Sequence, residues 1–258
     1  MNHVIAIVFY YLFLQMSLVW IICRLLKNYS VVDAYWSIGL MVSGLIYLWS
    51  VPITPRNSVI SALIIIWALR LSGYLWYTRI HQGHVDKRYT ELSNHWKINQ
   101  SLGFFLNFQL QGLLIFILSF LFYLISKSNN PNLTLVDGIA IVVVLVGIIG
   151  ESLADLQLNR FKARPKGGLC NIGLWNYSRH PNYFFDWVTW LGFTLFSLQS
   201  KMGYLGLISL LLLYFIFTRI TGPLTERGSV QSKGQKYIDY QQQTSMFFPW
   251  FKRKIDSE

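Results

Sequence analysis

Residues 173–192 read GLWNYSRHPNYFFDWVTWLG, and the fold turns on how this stretch is understood. Arg179, His180, Asn182 and Asp186 stand among aromatic residues and run without a break into an apolar segment. Ionisable groups beside hydrocarbon are costly and therefore face something polar. A helix starting here has Pro181 in its first turn, where proline is tolerated, and sets Asn182 and Asp186 four apart on one face. A helix N-terminus beside Arg179 and His180 is also a place for a phosphate. A re-entrant turn whose Arg and His meet lipid headgroups uses the same residues, so the surrounding chain must separate the two.

The 258 residues are 53% hydrophobic and 17% aromatic but only 13% charged, about half the charge of a typical soluble domain. Apolar runs recur from end to end, which predicts an all-α, polytopic membrane protein folded as a single domain. Seven segments are long enough to cross or nearly cross a bilayer: 4–26, 35–53, 59–77, 103–125, 133–156, 183–198 and 204–220. The apolar N-terminus lacks a basic leader and a small-residue cleavage site, so it reads as a retained first span.

The formal net charge is +11. Its distribution argues against nucleic acid, because the bases sit in alternate connections between spans. All 22 lysines and arginines except Arg56, Arg70, Lys127 and Lys201 fall in the first, third and fifth connections or the C-terminal tail. That asymmetry predicts cytoplasmic odd-numbered connections, a cytoplasmic C-terminus and an N-terminus outside. Cys23 and Cys170 are isolated and read as free thiols. No metal is expected, since the bases around His81 and His84 repel a cation and no third ligand is evident. The tail's Tyr237, Tyr240 and 246–251 aromatics read as a segment folding back on the membrane face.

Arg70 lies inside the third span and needs a partner, with Asp33, Glu151 and Asp155 as candidates. A buried ion pair that only orients helices is the plain alternative. Glu151 and Asp155 share one face of the fifth span, and Asn159 and Lys162 continue that stripe into the cytoplasmic connection. Asp33 at the start of the second span is either a helix cap or a functional acid. The third connection, HQGHVDKRY (81–89), reads as a basic wall over an anion. Cytoplasmic bases, aromatic faces, amides and carboxylates together suit a large anionic cofactor with a flat ring and sugar hydroxyls. Neither a G-x-G-x-x-G nor a P-loop motif is present, so any nucleotide must bind within the helices.

Taken with ESLADLQLNRFK (151–162) before it and YIDYQQQTSMFFPWF (237–251) after it, the opening stretch resembles the steroid 5-alpha-reductase family, nearest its bacterial DUF1295 branch. VVDAYWSIG (31–39) and residues 67–89 extend the resemblance over roughly 31–251. It implies a monomeric seven-helix reductase of the bacterial inner membrane. Such an enzyme holds NADPH in a cytoplasm-facing cavity and reduces an activated carbon–carbon double bond in a steroid-like or other lipid. Glu151, Asp155, Asn159, Lys162, Arg164, Tyr177, Arg179, His180, Asn182, Tyr183, Asp186, Tyr237 and Tyr240 are then the cofactor contacts. Asp33, Trp67, Arg70 and Tyr74 are the catalytic candidates. The family's tyrosine three residues before the third-helix arginine is here Trp67, which cannot release a proton usefully. Tyr74 is the better substitute, with a protonated Asp33 as the other donor. Two rivals stand beside this reading. An S-adenosylmethionine-dependent membrane methyltransferase shares an RHPxY motif but needs a downstream glutamate pair, where this chain has only Glu226. A non-enzymatic transporter or lipid-binding protein leaves the 179–186 cluster unexplained.

Overall fold

Apolar runs of this length have one way to satisfy their backbone in hydrocarbon, which is to become helices. The structure, a computed structural model, describes residues 2–83, 85–94, 96–164 and 168–253, without the side chains of Asn2 and Lys87. The expectations resting on His84, Lys166, Lys254 and the Lys87 side chain lie outside the described residues. The helices are α1 (Asn2–Leu25), α2 (Val32–Trp49), α3 (Pro55–Trp76), α4 (Lys87–Asn94) and α5 (Gln100–Ser126). They continue with α6 (Leu135–Lys162), α7 (Pro181–Ser197), α8 (Leu207–Phe215), α9 (Gly222–Lys233) and α10 (Gln235–Gln243). Among the described residues the only β pairing is one bridge, Ser178 to Ser245.

Six helical stretches are long and apolar enough to cross a membrane: His3–Leu25, Tyr29–Trp49, Pro55–His81, Gln100–Ser126, Leu135–Lys162 and Gly203–Lys233. The chain is thus an all-helical, multi-pass membrane protein. The sixth predicted span corresponds to α7, whose 17 residues fall just under the 18 that mark the others. At 1.5 Å per residue it reaches about 26 Å.

The chain separates into two compact units, a division the hydropathy pattern does not mark. The first comprises Met1–Thr134 and Phe196–Gly206. Here α2 packs on α3 and α5, and α1 on α2 and α5, around Leu12, Met16, Leu40, Trp67, Phe104, Phe108 and Phe122. Thr54 caps α3, accepting from the Asn57 backbone N–H at 3.1 Å, with Pro55 in the first turn. Arg56, expected in an outer connection, is wholly buried. Its guanidinium donates to the carbonyl oxygens of Phe196 at 2.7 Å and Ile125 at 3.4 Å. Both belong to helix C-terminal ends, where a positive charge meets unpaired carbonyls and the negative pole of the helix dipole.

The second unit comprises Leu135–Leu195 and Leu207–Glu258. Its axis is the antiparallel pair α6 and α7. A Cβ placed on Gly147 would lie 2.8 Å from the Phe185 carbonyl oxygen, and one on Gly192 would lie 2.8 Å from the Val144 backbone nitrogen. Gly150 faces the Phe185 ring in the same way. Small residues at one seam let membrane helices approach backbone to backbone. After α6 the chain turns back through Gly173 at φ 55°, a conformation glycine adopts without strain. The Gln157 side chain then accepts from the Leu174 backbone N–H at 2.9 Å.

Gly147→Val is expected to lower stability by about 3 kcal/mol, because neither the Phe185 carbonyl nor the Thr189 backbone can withdraw. The thermal unfolding midpoint in detergent reads this, and a midpoint equal to the parent's would mean the seam is not closed.

Candidate functional site

The α6/α7 seam carries polar residues to one end of the second unit. Glu151 and Asp155 on α6 are each only 4% exposed and Asp186 on α7 only 7%. Asn182, in the first turn of α7, donates from Nδ2 to Asp155 Oδ1 at 3.5 Å. Its Oδ1 is buried and has no hydrogen-bond partner among the described residues. A buried amide oxygen left without a donor costs about 1–3 kcal/mol, which a ligand donor would recover. One turn beyond Asp155, Asn159 is half-buried, and Lys162 and Arg164 are exposed. Three expected cofactor acids and two amides, Asn182 and Asn159, thus lie on a single helix pair, with Lys162 at the last position of α6 and Arg164 beyond it.

Arg179 is employed otherwise than expected. Its Nε and Nη2 donate to Glu226 Oε1 at 2.7 Å and Oε2 at 3.2 Å. Its Nη1 donates to the carbonyls of Thr244 at 2.7 Å and Gln241 at 2.8 Å. Every nitrogen of the guanidinium is committed to the chain's own acceptors, so Arg179 is not held ready for a phosphate. His180 Nε2 lies 3.0 Å from Glu226 Oε1, and Gln241 Nε2 donates to Oε2 at 2.6 Å. Glu226 is 6% exposed, and four donors fill the roughly four lone-pair directions of a carboxylate.

The same hub pins the tail. Arg179 N donates to Ser245 O at 2.8 Å, Ser178 Oγ to Phe247 O at 2.8 Å, and Trp250 N to Tyr177 O at 2.9 Å. Tyr240 donates its hydroxyl to the carbonyls of Trp175 and Ser178. That makes Tyr240 a buried strut rather than a stacking platform. Tyr237 is buried beside it with rings 5.8 Å apart. Tyr183 stacks between His180, at 5.0 Å, and Phe217, at 5.1 Å. Tyr177 alone of these tyrosines is exposed.

The first unit holds a second polar constellation. Asp33 accepts from the Tyr89 hydroxyl at 2.6 Å and from Arg79 and Arg88, both at 3.3 Å. Asp86 accepts from Arg79 at 2.8 Å and Arg88 at 2.7 Å. Burial alone would raise the Asp86 carboxyl, but the Arg88 and Arg79 guanidiniums overcome it and hold the group at about 2, below its usual 3.8. Burial, reinforced by the Asp33 charge, keeps the Tyr89 phenol protonated well above its ordinary range.

Two expectations for this region are corrected. Asp33 does not cap α2, whose start has no side-chain cap. All three of its described partners donate to it, and two are cations. Within the 81–89 connection Arg88 is matched by Asp33 and Asp86 rather than left to an anion, while His84 and the Lys87 side chain lie outside the described residues. Trp67 is fully buried. The Arg70 guanidinium lies 5.9 Å from the centre of the Tyr74 ring, one helical turn on. Cys23 and Cys170 are both free and buried. Among the described residues no group of three or more His, Cys, Asp or Glu could hold a metal.

The family signature described as "Protein of unknown function (DUF1295)" matches residues 19–244. The chain belongs to the DUF1295 family. No curated protein and no solved structure matches it. In this DUF1295 chain the residue that sequence reasoning passed over is Glu226. One signal could have found it: it is the only acid between Asp186 and Asp239, in a stretch that holds Arg219, Arg227, Lys233 and Lys236.

Glu226→Gln is expected to cost about 3–5 kcal/mol, because it leaves Arg179 buried with its charge uncompensated. Trypsin should then cut at Lys233 and Lys236 far faster than in the parent, and equal rates would deny the hub its role. Asp86 makes a prediction for acid. Its carboxyl is depressed on folding, so its contribution, on the order of 2 kcal/mol, is full above the unfolded value near 4. It is lost as pH falls from about 4 towards 2. Melting profiles of the parent should drop across that window, and those of Asp86→Asn should drop less.

Proposed function

We propose that this chain is an NADPH-dependent oxidoreductase of the steroid 5-alpha-reductase kind, delivering hydride to the β-carbon of a conjugated carbonyl in a lipid. In this reading α7 is a seventh, short span and the protein acts as a monomer in a bacterial inner membrane. The N-terminus lies outside, and the cofactor mouth faces the cytoplasm with the bases of the odd-numbered connections. The observation that carries the proposal is the Asn182–Asp155 contact across the α6/α7 seam, with Asn182 Oδ1 buried and lacking a donor.

The residues present fit the cofactor. Asn182 Oδ1 suits the N–H of a nicotinamide carboxamide. Glu151, Asp155 and Asp186 suit ribose hydroxyls, which carboxylates accept well. Lys162 and Arg164, exposed past the end of the acidic stripe, suit phosphates. Arg179 and Tyr240 do not join this set, because their donors are spent within the chain.

Bound NADPH supplies the hydride. The chain's part is to orient and to manage charge. Asn182 and Asp155 fix the carboxamide end, while the apolar surface of α6 and α7 excludes water. Tyr74 is the donor for the substrate's carbonyl oxygen, with the Arg70 guanidinium 5.9 Å from its ring centre favouring negative charge there. Removing one such donor typically costs about 2.7–4 kcal/mol of barrier. Asp33, surrounded by donors, is left out as a proton source.

The methyltransferase alternative needs an acid after the RHPxY motif that is free for its ligand. Glu226 is that acid, but Arg179, His180 and Gln241 already fill its oxygens. The transporter alternative gains no support from a particular contact.

NADPH at a hundredfold excess over its Kd should stabilise the purified protein by about 2.7 kcal/mol, and S-adenosylmethionine should not. Asn182→Ala should abolish the NADPH shift while the ligand-free midpoint moves little. Stabilisation by S-adenosylmethionine alone would reverse the assignment.

A further inference from the structure

The segment after α10 reads FFPWFKR at 247–253. Its first ring is a plug. Phe247 is buried, with ring centres 5.8 Å from Phe184 and 5.3 Å from Tyr214. The next three aromatics are the opposite case, Phe248 being 48%, Trp250 70% and Phe251 76% exposed. One exposed aromatic is ordinary, but three within four residues make an apolar patch.

The patch is held firmly by its backbone. Trp250 N donates to the Tyr177 carbonyl and Arg253 N to the Gln243 carbonyl, both at 2.9 Å. The Phe251 ring stands 6.1 Å from that of Tyr177, which is itself exposed. Phe248 rests on the spans, 5.9 Å from Tyr214 of α8 and 6.0 Å from Trp187 of α7. Helix α8 lies within the membrane-length stretch Gly203–Lys233, and its Leu211 and Phe215 are exposed beside Tyr214. The aromatic patch therefore continues a lipid-facing surface of the second unit, and it ends in two exposed bases, Lys252 and Arg253.

Rings at the border of a lipid-facing helix, followed directly by cations, fit the headgroup layer of a bilayer. There the ring bodies enter the acyl boundary while the indole N–H and the charges stay in the polar layer. Charge selects the lipid. Among the described acids of the second unit only Asp239 is not buried, and it already accepts from Gln235 Nε2 at 2.7 Å. A second copy of this unit has no free carboxylate to offer the two bases, whereas an anionic leaflet offers one negative charge per lipid.

We propose that residues 248–253 form a foot seated in an anionic leaflet, with Phe248, Trp250 and Phe251 in the acyl boundary and Lys252 and Arg253 on lipid phosphates. The same segment bonds to the chain just before α7, through the Ser178–Ser245 bridge and the bond from Ser178 Oγ to Phe247 O. Seating the foot thus also steadies the start of α7. The contact holds whether or not the chain binds NADPH.

Full-length protein in nanodiscs of brominated phosphatidylcholine, with or without an equal part of brominated phosphatidylglycerol, tests this. The fluorescence lost in Trp250→Phe reports that indole. Bromine should quench it at least about twofold more strongly in the mixed discs. Trypsin should cut after Lys252 and Arg253 at least about tenfold more slowly there, since each base gains about fivefold near an anionic surface. Lys252→Gln with Arg253→Gln should return the quenching to its phosphatidylcholine value, while the thermal midpoint in phosphatidylcholine stays at that of the parent. Equal quenching and equal cleavage in the two lipids would overturn the preference for anionic lipid. Trp250 unquenched in mixed discs would overturn the membrane contact itself, and two copies per disc in that case would assign the patch to a second copy.

Discussion

A single carboxylate organises the second unit. Glu226 receives two guanidinium nitrogens, an imidazole and an amide, and Arg179 in turn holds the carbonyls that end α10. A buried arginine is tolerable only when its charge and its donors are all answered, and a buried glutamate only when its lone pairs are. Each therefore requires the other, and the exchange welds the 177–180 segment, α9 and the tail into one piece. The start of α7 is fixed as a by-product. Asn182, two residues after His180, can then stand in one place against Asp155.

Polar groups in this protein fall into two kinds, and hydrogen-bond accounting tells them apart. Glu226, Asp33, Asp86, Arg56 and Tyr240 have their described bonding capacity used by the chain itself and serve architecture. Asn182 keeps a buried acceptor with no donor among the described residues. In a medium with no water to fall back on, leftover capacity of that kind is expensive. Gln15 Oε1 and Tyr47 Oη are buried without a partner among the described residues as well, so Asn182 supports the proposed cofactor site only together with the buried acids on the same helix pair.

Much was legible beforehand. The long apolar runs give six of the spans, and Pro181 starts a helix where capping rules put it. The stripe of Glu151, Asp155 and Asn159 follows from a period of 3.6 residues, and the meeting of α6 and α7 adds only its partner. Motif chemistry was less dependable. An arginine beside a histidine and a proline reads as a phosphate site, but Arg179 finds its anion 47 residues away in its own chain. Arg79 and Arg88 likewise read as a basic surface until Asp33 and Asp86 are seen between them.

The sequence by itself determined that this is a helical membrane protein, where six of its long apolar helices run, and which residues share a polar stripe on α6. Those features depend on local periodicity and on transfer of side chains from water, and both are properties of short segments. Tertiary structure alone decided which charges cancel: Glu226 with Arg179, Asp33 and Asp86 with Arg79 and Arg88, and Arg56 with two helix ends. An ion pair in low dielectric is made by groups within about 4 Å, whatever their distance along the chain, and linear order carries almost no record of that. Only the folded chain could show those pairs.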